Sequence, residues 1–190
     1  MSLKLGIIRL LYWLKSLSED PIELFKALGV ERDDKILEIG CAIGYHTFPL
    51  AQVASAGKIH AVDIWEEGLA YLRDKTRDSK HQNVETICCS AEAVQLPPSS
   101  LDKIFCFDTL HEVPNLEQAV GEWTDFLKDG GKFFYKDPEI PPERIQTLSR
   151  GKLRQAGTTR RIHVFVRQER AKGADNQPPR NVDTGRSSNQ

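Results

Sequence analysis

Apolar positions along this chain follow two periods, and the switches between them mark out its elements. Ile36, Leu37 and Ile39 form a short continuous run of the kind a strand shows when both its faces are buried in a parallel sheet. Lys58 to Asp63 (KIHAVD), Asn83 to Cys88, Asp102 to Phe107 and Lys132 to Lys136 repeat that pattern, so five strands are predicted in series. Lys152 to Gln155 and Thr158 to Arg167 add two more, joined at Ala156-Gly157. Between them the period changes to that of a helix. Leu3, Ile7, Leu10, Leu11, Leu14 and Leu17 recur at helical spacing, and Ile8, Tyr12 and Trp13 widen the stripe until little of the helix is polar. Pro21 opens a second helix that Gly29 closes. A third begins near Tyr45 or His46, and if Thr47 is its N-cap, Pro49 falls in the first turn. Glu66 and Glu67 open a fourth, and Asn115 with Gln118 forms a capping box for a fifth. Leu116, Val120, Trp123 and Leu127 line the buried face of the fifth, and Gly130-Gly131 end it. A short helix is predicted near Pro142 to Arg150. Strands alternating with helices specify an α/β protein with a mostly parallel sheet.

Composition narrows the class. A chain of 190 residues with 39% hydrophobic residues, 28% charged residues and a formal net charge of −1 has the makings of one ordinary globular domain rather than a strongly basic nucleic-acid binder. Residues 1–30 read as an N-terminal helical extension and residues 31–170 as the domain. From Ala171 to Gln190 apolar residues almost vanish, which predicts a disordered tail. Leu3 to Leu14 carries Lys4 and Arg9 and falls far short of the ~20 apolar residues of a membrane span, and no signal-peptide pattern is present. Cys41, Cys88, Cys89 and Cys106 contain no C-x-x-C pair, and free thiols suit a reducing cytoplasm. Cys88 and Cys89 are neighbours on a strand and point to opposite faces, which argues against a shared metal.

The candidate chemistry gathers at the carboxyl ends of the predicted strands, where open α/β sheets bind ligands. Glu38-Ile39-Gly40-Cys41-Ala42-Ile43-Gly44 reads E-x-G-x-x-x-G, with Gly40 and Gly44 free to take positive φ. Asp63 ends the second strand twenty-three positions after Gly40, the spacing of an acid that accepts hydrogen bonds from a ribose diol; a helix-capping aspartate is the plainer alternative. Ser90-Ala91-Glu92 follows the third strand, Phe107 and Asp108 stand at the end of the fourth, and His111 follows it. These segments, in this order and spacing from Lys35 to Asp137, resemble the class I S-adenosylmethionine-dependent methyltransferases, and among them the small-molecule enzymes of ubiquinone and menaquinone biosynthesis. Ala42 stands where the family motif usually has its middle glycine, and Ser90 where it usually has an acid.

The resemblance implies a Rossmann-like three-layer sandwich with a seven-stranded sheet whose last strand is antiparallel. It also implies S-adenosylmethionine as cofactor and a small-molecule methyl acceptor. Gly40, Cys41, Ala42 and Gly44 would pack against the methionyl part, Glu38 would hold its ammonium, and Asp63 the ribose hydroxyls. Ile64 would lie beside the adenine, Ser90, Ala91 and Glu92 at its edge, and Phe107 and Asp108 by the methyl group and acceptor. Methyl transfer from a sulfonium needs alignment more than a metal ion, and no metal is expected. His111 is the candidate general base; its alternative is a structural bond to the loop leading to Asn115. The first helix is expected to pack on the domain, to cover the acceptor side of the pocket, or to offer a surface to an apolar partner.

Three rival readings meet this pattern differently. A nicotinamide-dependent reductase prefers G-x-G-x-x-G, which Gly40 and Gly44 do not satisfy, and the Y-x-x-x-K match at Tyr71 and Lys75 lies too early in the chain. An RNA methyltransferase would use the basic residues Arg144, Arg150, Lys152, Arg154, Arg160, Arg161, Arg167 and Arg170. A catalytically inactive S-adenosylmethionine-binding partner subunit would share every motif and differ only in turnover.

Overall fold

The computed structural model describes residues 3–16, 20–77 and 81–169. The expected tail, Leu17 and Arg170 lie outside those residues. Within them the chain forms α1 (Leu3–Ser16), α2 (Pro21–Ala27), β1 (Lys35–Ile39), α3 (Thr47–Val53), β2 (Lys58–Asp63), α4 (Glu66–Arg77), β3 (Val84–Cys88), β4 (Leu101–Phe107), α5 (Leu116–Phe126), β5 (Leu127–Lys136), α6 (Pro142–Leu148), β6 (Leu153–Thr159) and β7 (Ile162–Arg167). Short 3-10 turns at Ala91–Ala93 and Leu110–Glu112 complete it.

The seven strands make one sheet in the order β3-β2-β1-β4-β5-β7-β6. β1 pairs in parallel with β2 on one side and β4 on the other, so the direction of winding reverses at β1 and opens a crevice at the carboxyl ends of β1 and β4. β7 inserts antiparallel between β5 and β6, giving the mixed sheet the sequence led one to expect. Continuous burial along β1 and β4 follows from helices on both faces: Glu38 of β1 is as buried as its apolar neighbours. On one face Phe25 of α2 and Leu50 of α3 pack on Ile36, Ile59, Phe105 and Phe134, while Leu69 and Leu72 of α4 cover Cys41 and Ala61. On the other, Val120 and Trp123 of α5 and Ile145 of α6 pack on Ile104, Phe133, Tyr135 and Phe165. At the amino end of the strands, far from the crevice, the Lys103 ammonium meets the Asp34 carboxylate at 2.6 Å with both groups buried. Removing either partner alone would strand a buried charge.

Several local expectations are corrected. Thr47 is not the N-cap of α3; His46 holds that position and Thr47 is the first helical residue, because its hydroxyl is drawn to Glu38. Asn115 does cap α5 through the Gln118 amide at 3.1 Å, but the reciprocal half of the capping box is absent, since the Asn115 amide donates to Glu92 instead. Gly130-Gly131 do not end α5. The helix stops at Phe126 and the buried Leu127 enters β5 directly, paired with Leu101; Gly130, at φ 76, sits where the register with β4 shifts. Nor does Ala156-Gly157 join the last two strands. Those residues lie inside β6 at a register shift, and the two-residue turn falls at Arg160-Arg161, both in the left-handed region at φ 50 and 63. That is the turn geometry a twisted hairpin selects, held here by two arginines at a strain of roughly 1–2 kcal/mol each.

Candidate functional site

Glu38 is a buried acid at the crevice. It is 4% exposed, and the Thr47 hydroxyl donates to its Oε2 at 2.6 Å. Burial penalises the carboxylate, and its pKa is pushed up to about 7 despite that bond, with the charge of Asp63 adding to the rise. A cation brought beside Glu38 would relieve both effects.

The turn after β1 is held by backbone hydrogen bonds to β2 and within itself. The Gly40 and Cys41 amides both donate to the Val62 carbonyl, at 2.9 and 3.1 Å, and the Gly44 amide to the Cys41 carbonyl at 2.9 Å. Gly40 has φ 77 and no room for a side chain: a Cβ there would lie 2.1 Å from Thr109 Oγ1, so the loop after β4 rests on the glycine. Ala42 sits at φ 48, the left-handed conformation in which the family motif's glycine would be unstrained. Burial pushes the Cys41 thiol well above its ordinary range, which keeps it protonated and chemically quiet.

Asp63 fastens the turn to β2. Its Oδ2 accepts the Ala42 amide at 2.7 Å and its Oδ1 the Trp65 amide at 2.8 Å. Each oxygen keeps a lone pair for a further donor. Ile64, next along, is 72% exposed. Beyond β3, Ser90 precedes the Ala91–Ala93 turn; the Ala91 carbonyl accepts the Trp123 indole at 3.0 Å, and Glu92 accepts the Asn115 amide at 3.0 Å. Glu92 is therefore committed to α5, which holds its pKa below the usual carboxylate range.

At the end of β4, Phe107 lies edge-on to the His46 ring with centroids 5.2 Å apart, and His46 meets Tyr45 likewise at 4.8 Å, an aromatic wall that no motif announced. Asp108 follows at φ 52, a left-handed residue at a strand end, where strain often accompanies function. His111 stands on the Leu110–Glu112 turn with its side chain 32% exposed. Its Nδ1 lies 2.8 Å from Oδ2 of Asp137, whose side chain is buried; the His111 amide donates to the same oxygen at 3.0 Å and the Glu139 amide to Oδ1 at 3.0 Å. Burial works against the Asp137 carboxylate, but these bonds outweigh it and hold its pKa below the ordinary value. The bond to Asp137 in turn raises the His111 pKa. With Nδ1–H donating, the lone pair is left on Nε2, the arrangement a general base requires.

Asp137 is the residue that sequence reasoning missed. The signal was present, since KFFYKD ends a strand in an acid as KIHAVD does. Other predicted groups lie elsewhere. Two contacts of α1 run to Trp65 and to α4, with Lys4 over the Trp65 ring at 4.5 Å and Arg9 over the Tyr71 ring at 5.3 Å, which sets those residues of the helix beside Ile64-Trp65. Of the basic residues near the C-terminus, Arg167 is buried and bonded to the Thr124 carbonyl and Lys152 pairs with Asp125 at 2.6 Å, while Arg150 remains exposed 3.8 Å from Glu117, so two of the cations are taken up within the protein. Tyr71 and Lys75 lie on the outer side of α4 with the ammonium over the ring at 5.7 Å, and serve no cleft chemistry visible here. Among the described residues no cluster of three metal-ligating side chains occurs, and no helix is long and apolar enough to cross a membrane.

Comparison with known proteins gives this geometry a family. A family model described as a methyltransferase domain matches residues 37–135. Among curated proteins, the chain is 27% identical over 123 residues to a demethylmenaquinone methyltransferase of Listeria welshimeri, covering 63% of this chain and 52% of that protein. It is 25% identical over 137 residues to the methyltransferase GfsG of Streptomyces halstedii, covering 66% and 49%. The chain thus spans about half the length of the curated relatives it matches. Among solved structures, a SAM dependent methyltransferase from Aquifex aeolicus shares the fold at a TM-score of 0.63 and 21% identity, over 80% of this chain and 94% of that one.

Proposed function

The chain belongs to the methyltransferase-domain family, and on that premise we propose that it binds S-adenosylmethionine against the Gly40–Gly44 turn and transfers the methyl group to a small-molecule acceptor. The observation that carries this reading is the pair of acids that β1 and β2 bring to one turn. Glu38 is buried with a pKa near neutrality and lacks a cationic partner among the described residues, which suits the methionyl ammonium. Asp63 has acceptor capacity left beyond the two amides it holds, which suits a ribose diol. Ile64 offers an exposed apolar side chain for the adenine, with Ser90, Ala91 and Glu92 at its edge.

When bound, S-adenosylmethionine supplies a methyl group activated by a positive sulfur. The protein's work is to align it and to take a proton from the acceptor where one must leave. Phe107 and the His46 ring give the acceptor side an aromatic wall, in keeping with an organic acceptor that has a flat or apolar part. The same paired geometry of His111 and Asp137 would let Nε2 accept a hydroxyl proton, with Asp137 fixing the tautomer. The relatives in quinone biosynthesis fit an acceptor of this chemistry. An RNA acceptor is less well supported, because Arg167 and Lys152 are engaged within the protein.

Calorimetric titration with S-adenosylhomocysteine tests the ribose contact. Asp63→Ala should weaken binding by about 1.5–3 kcal/mol, the usual range for hydrogen bonds to a charged group. Equal affinity in wild type and variant would remove Asp63 from the site.

A further inference from the structure

The two sides of α1 meet different surroundings. Leu5 is turned into the protein at 5% exposure, and Lys4 and Arg9 lie over the Trp65 and Tyr71 rings of the adjoining α4 region. Opposite Leu5, the residues Leu3, Ile7, Leu10, Leu11 and Leu14 are 82%, 50%, 56%, 56% and 49% exposed. Their spacing of four, three, one and three places them in one continuous stripe along the helix. A stripe of this size on a soluble domain marks a contact surface.

Charge decides what kind of surface it meets. The sequence of α1, LKLGIIRLLYWLKS, has three cations and no acid, in a chain whose formal net charge is −1. A ring contact leaves a cation's charge intact, so Lys4 still contributes to the local field. A second copy of the helix would bring like charges together along the seam. An anionic lipid surface would instead take the stripe into its acyl boundary while its headgroups met the cations. We propose that α1 lies in the plane of an anionic bilayer surface, with Leu3, Ile7, Leu10, Leu11 and Leu14 inserted. Because α1 sits beside Ile64-Trp65, docking would bring the carboxyl-end crevice next to that surface. The inference concerns α1 alone and does not depend on methyl transfer.

Co-sedimentation of the full chain with phosphatidylcholine vesicles, and with vesicles containing about 30% phosphatidylglycerol, tests it at low and high salt. Binding is expected to the anionic vesicles, to weaken with salt, and to fall at least about tenfold in the double variant Ile7→Ser with Leu11→Ser. Circular dichroism should be unchanged, since both side chains are exposed. Should that variant fail to fold, Leu10→Ser with Leu14→Ser repeats the test on the same stripe. Three results would overturn the proposal: no sedimentation with anionic vesicles, equal binding to neutral ones, or a wild-type dimer by light scattering that dissociates in the variants, which would assign the stripe to a second copy.

Discussion

Replacing Glu38 by glutamine should make the ligand-free protein more stable and a poorer binder at once. In the folded chain the Glu38 pKa is about 7, against an ordinary 4.5. The sign follows from proton uptake. Below the ordinary value both states are protonated and nothing is gained or lost. Between 4.5 and 7 the unfolded chain ionises first, so stability falls as pH rises, and above 7 the full cost of the buried carboxylate is in place. That shift corresponds to about 3 kcal/mol. Glutamine keeps an acceptor for the Thr47 hydroxyl and removes the charge. Glu38→Gln should therefore stabilise the free protein by roughly 2–3 kcal/mol at pH 8 and by under about 1 kcal/mol at pH 5, read from urea unfolding. S-adenosylhomocysteine affinity should drop about tenfold or more at pH 8, since an ammonium would lose its counter-charge. A variant that is less stable at pH 8 would contradict the cost assigned to the buried charge, and one that binds as the wild type does would leave Glu38 a structural acid with no ligand to meet.

His111→Ala should lower the turnover rate about 10²-fold or more, once release of S-adenosylhomocysteine has identified an acceptor, while leaving cofactor affinity alone. The reasoning lies in the bond to Asp137. A base works in its neutral form, so the rate should rise with pH through the His111 pKa, and that midpoint should lie above the ordinary 6.5 because Asp137 raises it. Asp137→Asn should move the midpoint down toward 6.5 and lower the plateau as well, because the ring would no longer be held in one tautomer. A residue that merely props the loop would change the plateau or the melting temperature without moving the midpoint. If His111→Ala keeps its rate, or loses cofactor affinity instead, His111 belongs to the architecture.

The parts of the site legible in the sequence are those written along one strand. Glu38 and Asp63 end apolar runs, and buried parallel strands deliver their last residues to the ligand edge of the sheet, so their position followed from pattern alone. Contacts made across the chain were not legible. Thr47 meets Glu38 from the next helix, and Asp137 meets His111 from twenty-six residues away, and nothing in either local pattern demands the pairing. Glycine misled where it was read as punctuation. Strand pairing set the break after α5 and the turn between β6 and β7, so Gly130 and Gly157 became irregularities inside strands while two arginines took the hairpin turn. Conversely, Gly40 was read for a ligand's approach, and its missing Cβ also admits Thr109.

The central claim is that the turn after β1 is the cofactor site. Titrating S-adenosylhomocysteine into the ¹⁵N-labelled protein and following the amide resonances tests it most directly. Shifts are expected to concentrate at Gly40, Cys41, Ala42 and Gly44, at Ile64 beside Asp63, and at Ser90 and Ala91, with the α5–α6 side undisturbed. No shifts at all, or shifts gathered around the polar groove between Gln118 of α5 and Arg150 after α6, would contradict the assignment.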